Sequence, residues 1–152
     1  MRAIVQRVTS ASVLDHESGK TDSIGAGLLL LVGVHRNDTE AEAKRLAEKI
    51  ANLRVFNDPD GKMNVSLLDS PGHDVLAVSN FTVYGETKKS RRPSFTESAP
   101  YDHGRDLFDR FVVYMRAQGF RVPTGVFGGD MAVSLVNDGP VTVIVDVEAQ
   151  KQ

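Results

Sequence analysis

Met131-Ala-Val-Ser-Leu-Val-Asn-Asp-Gly-Pro-Val-Thr-Val-Ile-Val-Asp-Val147 is the stretch that decides the fold class. In its second half Val141, Val143, Val145 and Val147 fall on one face while Thr142 and Asp146 fall on the other, the period-two pattern of a half-buried strand. Met131–Val136 reads as a neighbouring strand, and Asn137-Asp138-Gly139-Pro140 between them has the composition of a tight hairpin connection. Apolar segments of the same kind recur upstream at Arg2–Val8, Ala11–Leu14, Ile24–Val34 and Val75–Phe81, each bounded by turn residues. The chain is therefore expected to rest on a curved, mainly antiparallel sheet.

Two segments carry helical spacing instead. From Thr39 the chain places Ala43, Leu46, Ala47, Ile50 and Leu53 at intervals of three and four, with Thr39 as N-cap and Glu42 completing a capping box. Between about Asp102 and Gln118, Leu107, Phe108, Phe111, Val112 and Met115 form one apolar stripe, and Gly119 supplies a stop. Both stripes need a sheet to cover. No repeat or linker divides residues 1–152, so the expectation is a single α+β domain with a barrel-like sheet packed by two main helices. The connection from Tyr84 to Tyr101 is longer than compact domains usually need, which raises the odds that it is functional.

The 152 residues include 18 Lys and Arg against 20 Asp and Glu, a formal net charge of −2, and no cysteine. A domain of this size hides about 70% of the surface its unfolded chain exposes, so neither disulfides nor structural zinc are needed. Near-neutral charge argues against a general nucleic-acid binder and leaves room for a local basic patch. The run Ile24–Val34 is interrupted by Gly25, Gly27 and Gly33 and falls short of the roughly 20 residues of a membrane helix. Met1–Val8 interleaves Arg2, Gln6 and Arg7 with its apolar residues, unlike a secretory signal. The expected address is the cytoplasm, with no membrane partner.

The common catalytic signatures are missing. His16, His35, His73 and His103 stand singly, without metal-ligand spacing, so no metal site is expected. There is no GxSxG elbow, and Gly125-Val-Phe-Gly-Gly129 lacks both a phosphate-loop lysine and a following helix, so no cofactor is expected. Three segments remain. Ser79-Asn80-Phe81-Thr82 ends a strand and brings hydroxyls and an amide to the start of the long loop, either to satisfy local backbone or to meet a ligand. Thr82 has no base nearby in the sequence to activate it as a nucleophile. At Gly139-Pro140 the bond is either an ordinary trans hairpin connection or a cis bond that would aim backbone carbonyls away from the sheet. Lys88-Lys89-Ser90-Arg91-Arg92 is either a solvated loop or a phosphate contact whose affinity falls with salt.

Several of these stretches, in order, carry a family resemblance: Met1–Val8 with Ala11-Ser12-Val13, Ser79–Thr82, Arg92-Pro93-Ser94-Phe95, Thr124-Gly125-Val126-Phe127-Gly128 and Asn137–Thr142. Over nearly its whole length the chain resembles the D-aminoacyl-tRNA deacylases. That family's signatures are a Ser-Gln-Phe-Thr strand end and a Gly-Pro dipeptide; Gly139-Pro140 keeps the second, whereas Asn80 stands where glutamine is usual. The resemblance implies a homodimer that hydrolyses the ester between a D-amino acid, or glycine, and the terminal adenosine of tRNA, while sparing L-aminoacyl-tRNA. It further implies that Gly139 and Pro140, joined by a cis bond, reach across the dimer to read chirality by backbone, with Arg7 holding their loop in place. Phe127 and Met131 would line the adenosine pocket, although core packing is the competing reading for both. Lys88, Lys89, Arg91 and Arg92 would touch tRNA phosphates.

The family offers two accounts of the chemical step. Either Thr82 attacks the ester, or the 2′-hydroxyl of the terminal ribose assists water while Ser79, Asn80 and Phe81 position the ester and stabilise an oxyanion. The absence of a base for Thr82 favours the second. Two rivals stand beside this reading. One is a tRNA- or DNA-binding dimer whose hydrolytic site is degraded, as Asn80 hints; the other is a deacylase tuned to a different acylated tRNA.

Overall fold

The computed structural model describes residues 1–149. Its spine is β1 (Arg2–Asp15), which takes in both N-terminal apolar segments as one strand. β2 (Thr21–Ile24) and β3 (Gly27–Gly33) pair antiparallel with its C-terminal and N-terminal halves respectively. The run Ile24–Val34 is therefore split between two strands, with a turn at Gly25-Ala26. After α1 (Glu40–Asn52), a hairpin of β4 (Phe56–Asn57) and β5 (Met63–Val65) forms a small second sheet. β6 (Asp74–Ser79) then joins β3 in parallel, so the main sheet is mixed, with this single parallel pair. α2 (Tyr101–Ala117) follows the long loop, and β7 (Met131–Asp146) closes the chain along the free side of β1.

Local chemistry accounts for the helices. Thr39 caps α1 and Glu42 Oε2 accepts from the Thr39 amide at 2.7 Å, so the two satisfy each other's end of the box. α2 starts after Pro100, and its buried stripe is Leu107, Phe108, Phe111, Val112 and Met115, as the spacing predicts. The helices cover one face of the sheet, where Leu28, Leu30 and Val32 join Leu46, Ile50 and Phe111 in the main core. Leu29, Leu76, Val78 and Val13 form a second cluster on the other face, onto which the sheet curls. Burial on both faces explains why β3 is apolar without alternation. The Met1 α-amino group is buried as well, 2.8 Å from Asp38 Oδ2.

The hairpin expected around Asn137–Pro140 does not form. Met131–Val136 and the segment from Val141 belong to one strand that runs antiparallel to the whole of β1, from Arg2↔Asp146 to Asp15↔Met131. Between Gln6↔Thr142 and Val8↔Asn137 the register breaks, and residues 138–141 bulge out opposite Arg7. The Asn137 side chain staples the bulge, donating to Arg7 O at 3.0 Å and to Val141 O at 2.9 Å.

Candidate active site

β6 stops at Ser79 because the chain tightens there into a 3-10 turn over Phe81–Tyr84. Asn80 caps that turn: its Oδ1 accepts from the Thr82 amide at 3.1 Å and also from the Thr82 hydroxyl. The Asn80 amide donates to Val32 O at 2.8 Å, pinning the cap to β3. Gly33 makes room for the turn, since a Cβ there would collide with Val83 and lie 3.2 Å from Asn80 O. Arg2 secures its far end, donating to Val83 O at 3.0 Å and lying 4.7 Å from the Tyr84 ring centre. Burial, with the nearby Asp38 and Asp146 carboxylates, pushes the Tyr84 phenol up, so that ring stays neutral. Ser79, Asn80, Phe81 and Thr82 are thus a strand end followed by a capped turn.

Beside this turn opens a cavity of about 540 Å³. Ser79, Asn80 and Phe81 form one wall, Phe127 and Met131 another, and the start of α2 a third. Phe127 is wedged between Tyr101, at 5.3 Å between ring centres, and Phe108, at 5.8 Å. Tyr101, Gly104 and Asp130 line the cavity although nothing in the sequence singled them out. Gly104 had the one available signal, a glycine inside a helical pattern; a Cβ there would sit 3.7 Å from both Phe127 and Ala99. Tyr101 and Asp130 are the titratable side chains in the lining, with neither histidine nor lysine among the described residues there. By its place at the head of the turn, the Phe81 amide has no partner within it and is an available donor. The cavity therefore offers aromatic walls with the Ser79 hydroxyl and the Asn80 side-chain amide beside them, a set that suits a flat ring joined to a polar group.

Thr82 is exposed and does not line the cavity. Gly139, Pro140 and Arg7 lie elsewhere. Gly139 and Pro140 are exposed on the β7 bulge, their peptide bond is cis, and Gly139 has φ 126°, a conformation that suits glycine. Arg7 is buried beneath them. Its Nη1 donates to Val55 O at 2.8 Å and Asn57 Oδ1 at 3.1 Å, while Nε donates to Asp138 O at 3.2 Å and pairs with Asp138 Oδ2 at 3.3 Å. Lys88, Lys89, Arg91 and Arg92 are exposed, and among the described residues none forms an ion pair. They sit on a tip closed at its base by paired hydrogen bonds between Glu86 and Ser94, at 2.8 and 2.9 Å. Among the described residues no group of three or more His, Asp or Glu is placed to hold a metal, and no helix is long and apolar enough to cross a membrane.

A family model described as D-Tyr-tRNA(Tyr) deacylase matches residues 4–146. The chain belongs to that family. Its membership makes the chain a deacylase, a hydrolase by class. Among curated relatives, a protein of Thermotoga petrophila named D-aminoacyl-tRNA deacylase is 51% identical over 96% of this chain and 97% of its own length. One of the same name from Pelobacter propionicus is 53% identical over 96% and 99%. A solved structure titled c-Myc DNA Unwinding Element Binding Protein superposes with a TM-score of 0.89 at 36% identity, covering 98% of this chain and all of its own. Another, titled as a probable eukaryotic D-amino acid tRNA deacylase, has a TM-score of 0.83 at 21% identity over 96% and 98%, and speaks for the fold.

Proposed function

We propose that this chain hydrolyses the ester joining a D-amino acid, or glycine, to the terminal adenosine of tRNA, and spares the L-aminoacyl ester. The observation that carries the reading is the cavity itself, where Phe127, Met131 and Tyr101 suit an adenine ring and Ser79, Asn80 and Phe81 suit the ester beside it. The names of the relatives, across nearly the full chain, support the substrate class. The reaction belongs in the cytoplasm and calls on neither metal nor cofactor.

The chemical step is water attack assisted by the 2′-hydroxyl of the terminal ribose. Water adds to the ester carbonyl, the bond to the ribose 3′-oxygen breaks, and that oxygen leaves with a proton as the amino acid is released. The Phe81 amide, among the described residues the one backbone donor of the turn's start that is not already committed, stabilises the oxyanion. Thr82 is not the nucleophile in this reading, because its hydroxyl is committed to Asn80 Oδ1 and no base accompanies it. Asn80, shorter than the family's glutamine, spends its carbonyl on capping the turn, so its role is to hold Phe81 in place.

Chirality is read by Gly139 and Pro140 of a second copy. Both are exposed and absent from the lining of their own cavity, and Arg7 fixes the bulge that presents them. β7 has β1 on one side and no strand of the described chain on the other, and it exposes Val136 and Ile144, features that suit an isologous dimer. Fixed carbonyls exclude one enantiomer with little regard to its side chain, so several D-amino acids should be accepted. Lys88, Lys89, Arg91 and Arg92 meet tRNA phosphates.

The test is release of tyrosine from D-tyrosyl-tRNA by the purified protein in EDTA, with sedimentation of the same sample. Turnover by a dimer supports the reading; a fully active monomer removes the borrowed loop. A second reading, a nucleic-acid-binding dimer without turnover, draws on Asn80 and on the solved relative named for a DNA element. It gains if the ester is cleaved no faster than in buffer.

A further inference from the structure

Phe81, in the cavity wall, and Phe95, which does not line it, are large exposed aromatics, 59% and 38% exposed respectively. Their rings meet edge to face with centres 5.1 Å apart. The pair is held in place. Ser98 Oγ donates to Phe81 O at 2.8 Å, and Gly85 lets the Phe95 ring approach the turn, since a Cβ there would lie 3.1 Å from Phe95 Cε1. Nothing in the chemistry of the cavity requires Phe95, yet it links two parts of the surface. On one side it touches Phe81, a wall of the cavity; on the other it follows directly on Ser94, where the basic tip closes.

We infer that Phe95, braced edge to face by Phe81, is a stacking platform for the nucleotide that precedes the terminal adenosine, with Lys88, Lys89, Arg91 and Arg92 taking the phosphates beyond it. The inference rests on the tRNA reading above and deepens it. Charge complementarity selects the occupant: four cations without ion-pair partners among the described residues stand next to exposed aromatic rings, the combination that binds single-stranded nucleic acid. Glu86, an acid of the same hairpin, accepts from the Lys88 amide at 2.6 Å and so serves the tip's own backbone. Reach agrees as well. Arg92 stands three residues from Phe95, a span of at most ~10 Å. A few stacked nucleotides at ~3.4 Å each cover that distance. The platform contacts base faces rather than edges, so it serves the unpaired 3′ end of any tRNA.

The experiment compares kcat/KM for D-tyrosyl-tRNA and for D-tyrosyl-adenosine, which lacks the preceding nucleotide, using the native protein, Phe95→Leu and Phe95→Tyr. Loss of one aromatic from a base stack should lower the preference for the tRNA substrate over the nucleoside by ~5- to 100-fold in Phe95→Leu, mainly through KM, while Phe95→Tyr keeps most of it. An unchanged preference overturns the platform. So does an equal fall for both substrates, which would make Phe95 a prop for the Phe81 turn alone. If the native protein cleaves neither substrate, the deacylase reading fails first, a result distinct from both.

Discussion

Replacing Arg7 with methionine tests how the Gly139–Pro140 bulge is held. The substitution keeps much of the apolar stem and removes the guanidinium that joins Val55 and β4 to the bulge. Val55 is buried, so its carbonyl would lose a charged donor with no water to replace it, at a cost of about 1–3 kcal/mol. Asp138 is half exposed and can rehydrate, so its lost pairing adds ~1 kcal/mol or less. The sum, about 1–4 kcal/mol, should lower the melting temperature by roughly 2–16 °C in a chain of this size. Denaturant unfolding gives the stability, and rates on D- and L-tyrosyl-tRNA give the selectivity. The bulge without its anchor should let the D/L rate ratio fall by more than the D rate itself does. Stability within about 0.5 kcal/mol of native, together with an unchanged D/L ratio, would refute the assigned role.

Other positions give sharper single answers. Gly33→Ala drives a Cβ into Val83, so it should cost ~1–3 kcal/mol and slow hydrolysis by moving the turn that carries Phe81; a fully active variant of native stability would show that the turn tolerates displacement. Glu42 is buried, which opposes its charge, yet the Thr39 hydroxyl and amide and Arg45 outweigh that and hold its carboxyl below the usual range. Its contribution is present at neutral pH and is lost as pH falls through the depressed value, so Glu42→Gln should destabilise most near pH 7 and progressively less in acid. A pH-independent difference in unfolding free energy would contradict this. Thr82→Val should cost less than about ten-fold in kcat, whereas a loss of ~1,000-fold or more, as removal of a true nucleophile produces, would restore Thr82 to the chemical step.

What could be read from the residues followed the range of the interactions involved. α1 was legible because its start depends on Thr39 and Glu42, three positions apart, and α2 because its stripe repeats locally. The β7 bulge was not. Asn137-Asp138-Gly139-Pro140 has the composition of a tight turn whether the chain reverses or bulges, and the choice lies with Arg7 and Val8 on the opposite strand. The 3-10 turn was hidden because apolar sequence continues through Phe81, while the cap that ends the strand is a short side chain two residues before Thr82. For the cavity, motif residues marked two walls, at Ser79–Phe81 and at Phe127 with Met131. The third wall, at Tyr101 and Gly104, comes from a helix whose approach is set by packing between Phe108 and Phe127, which no local pattern encodes.

The central claim is that this chain selects its ester by chirality. Matched D-tyrosyl-tRNA and L-tyrosyl-tRNA, incubated side by side with the purified protein in EDTA, test it most directly. The account predicts rapid release of D-tyrosine with the L ester decaying as it does in buffer. Comparable release from both esters, or from the L ester alone, would contradict it.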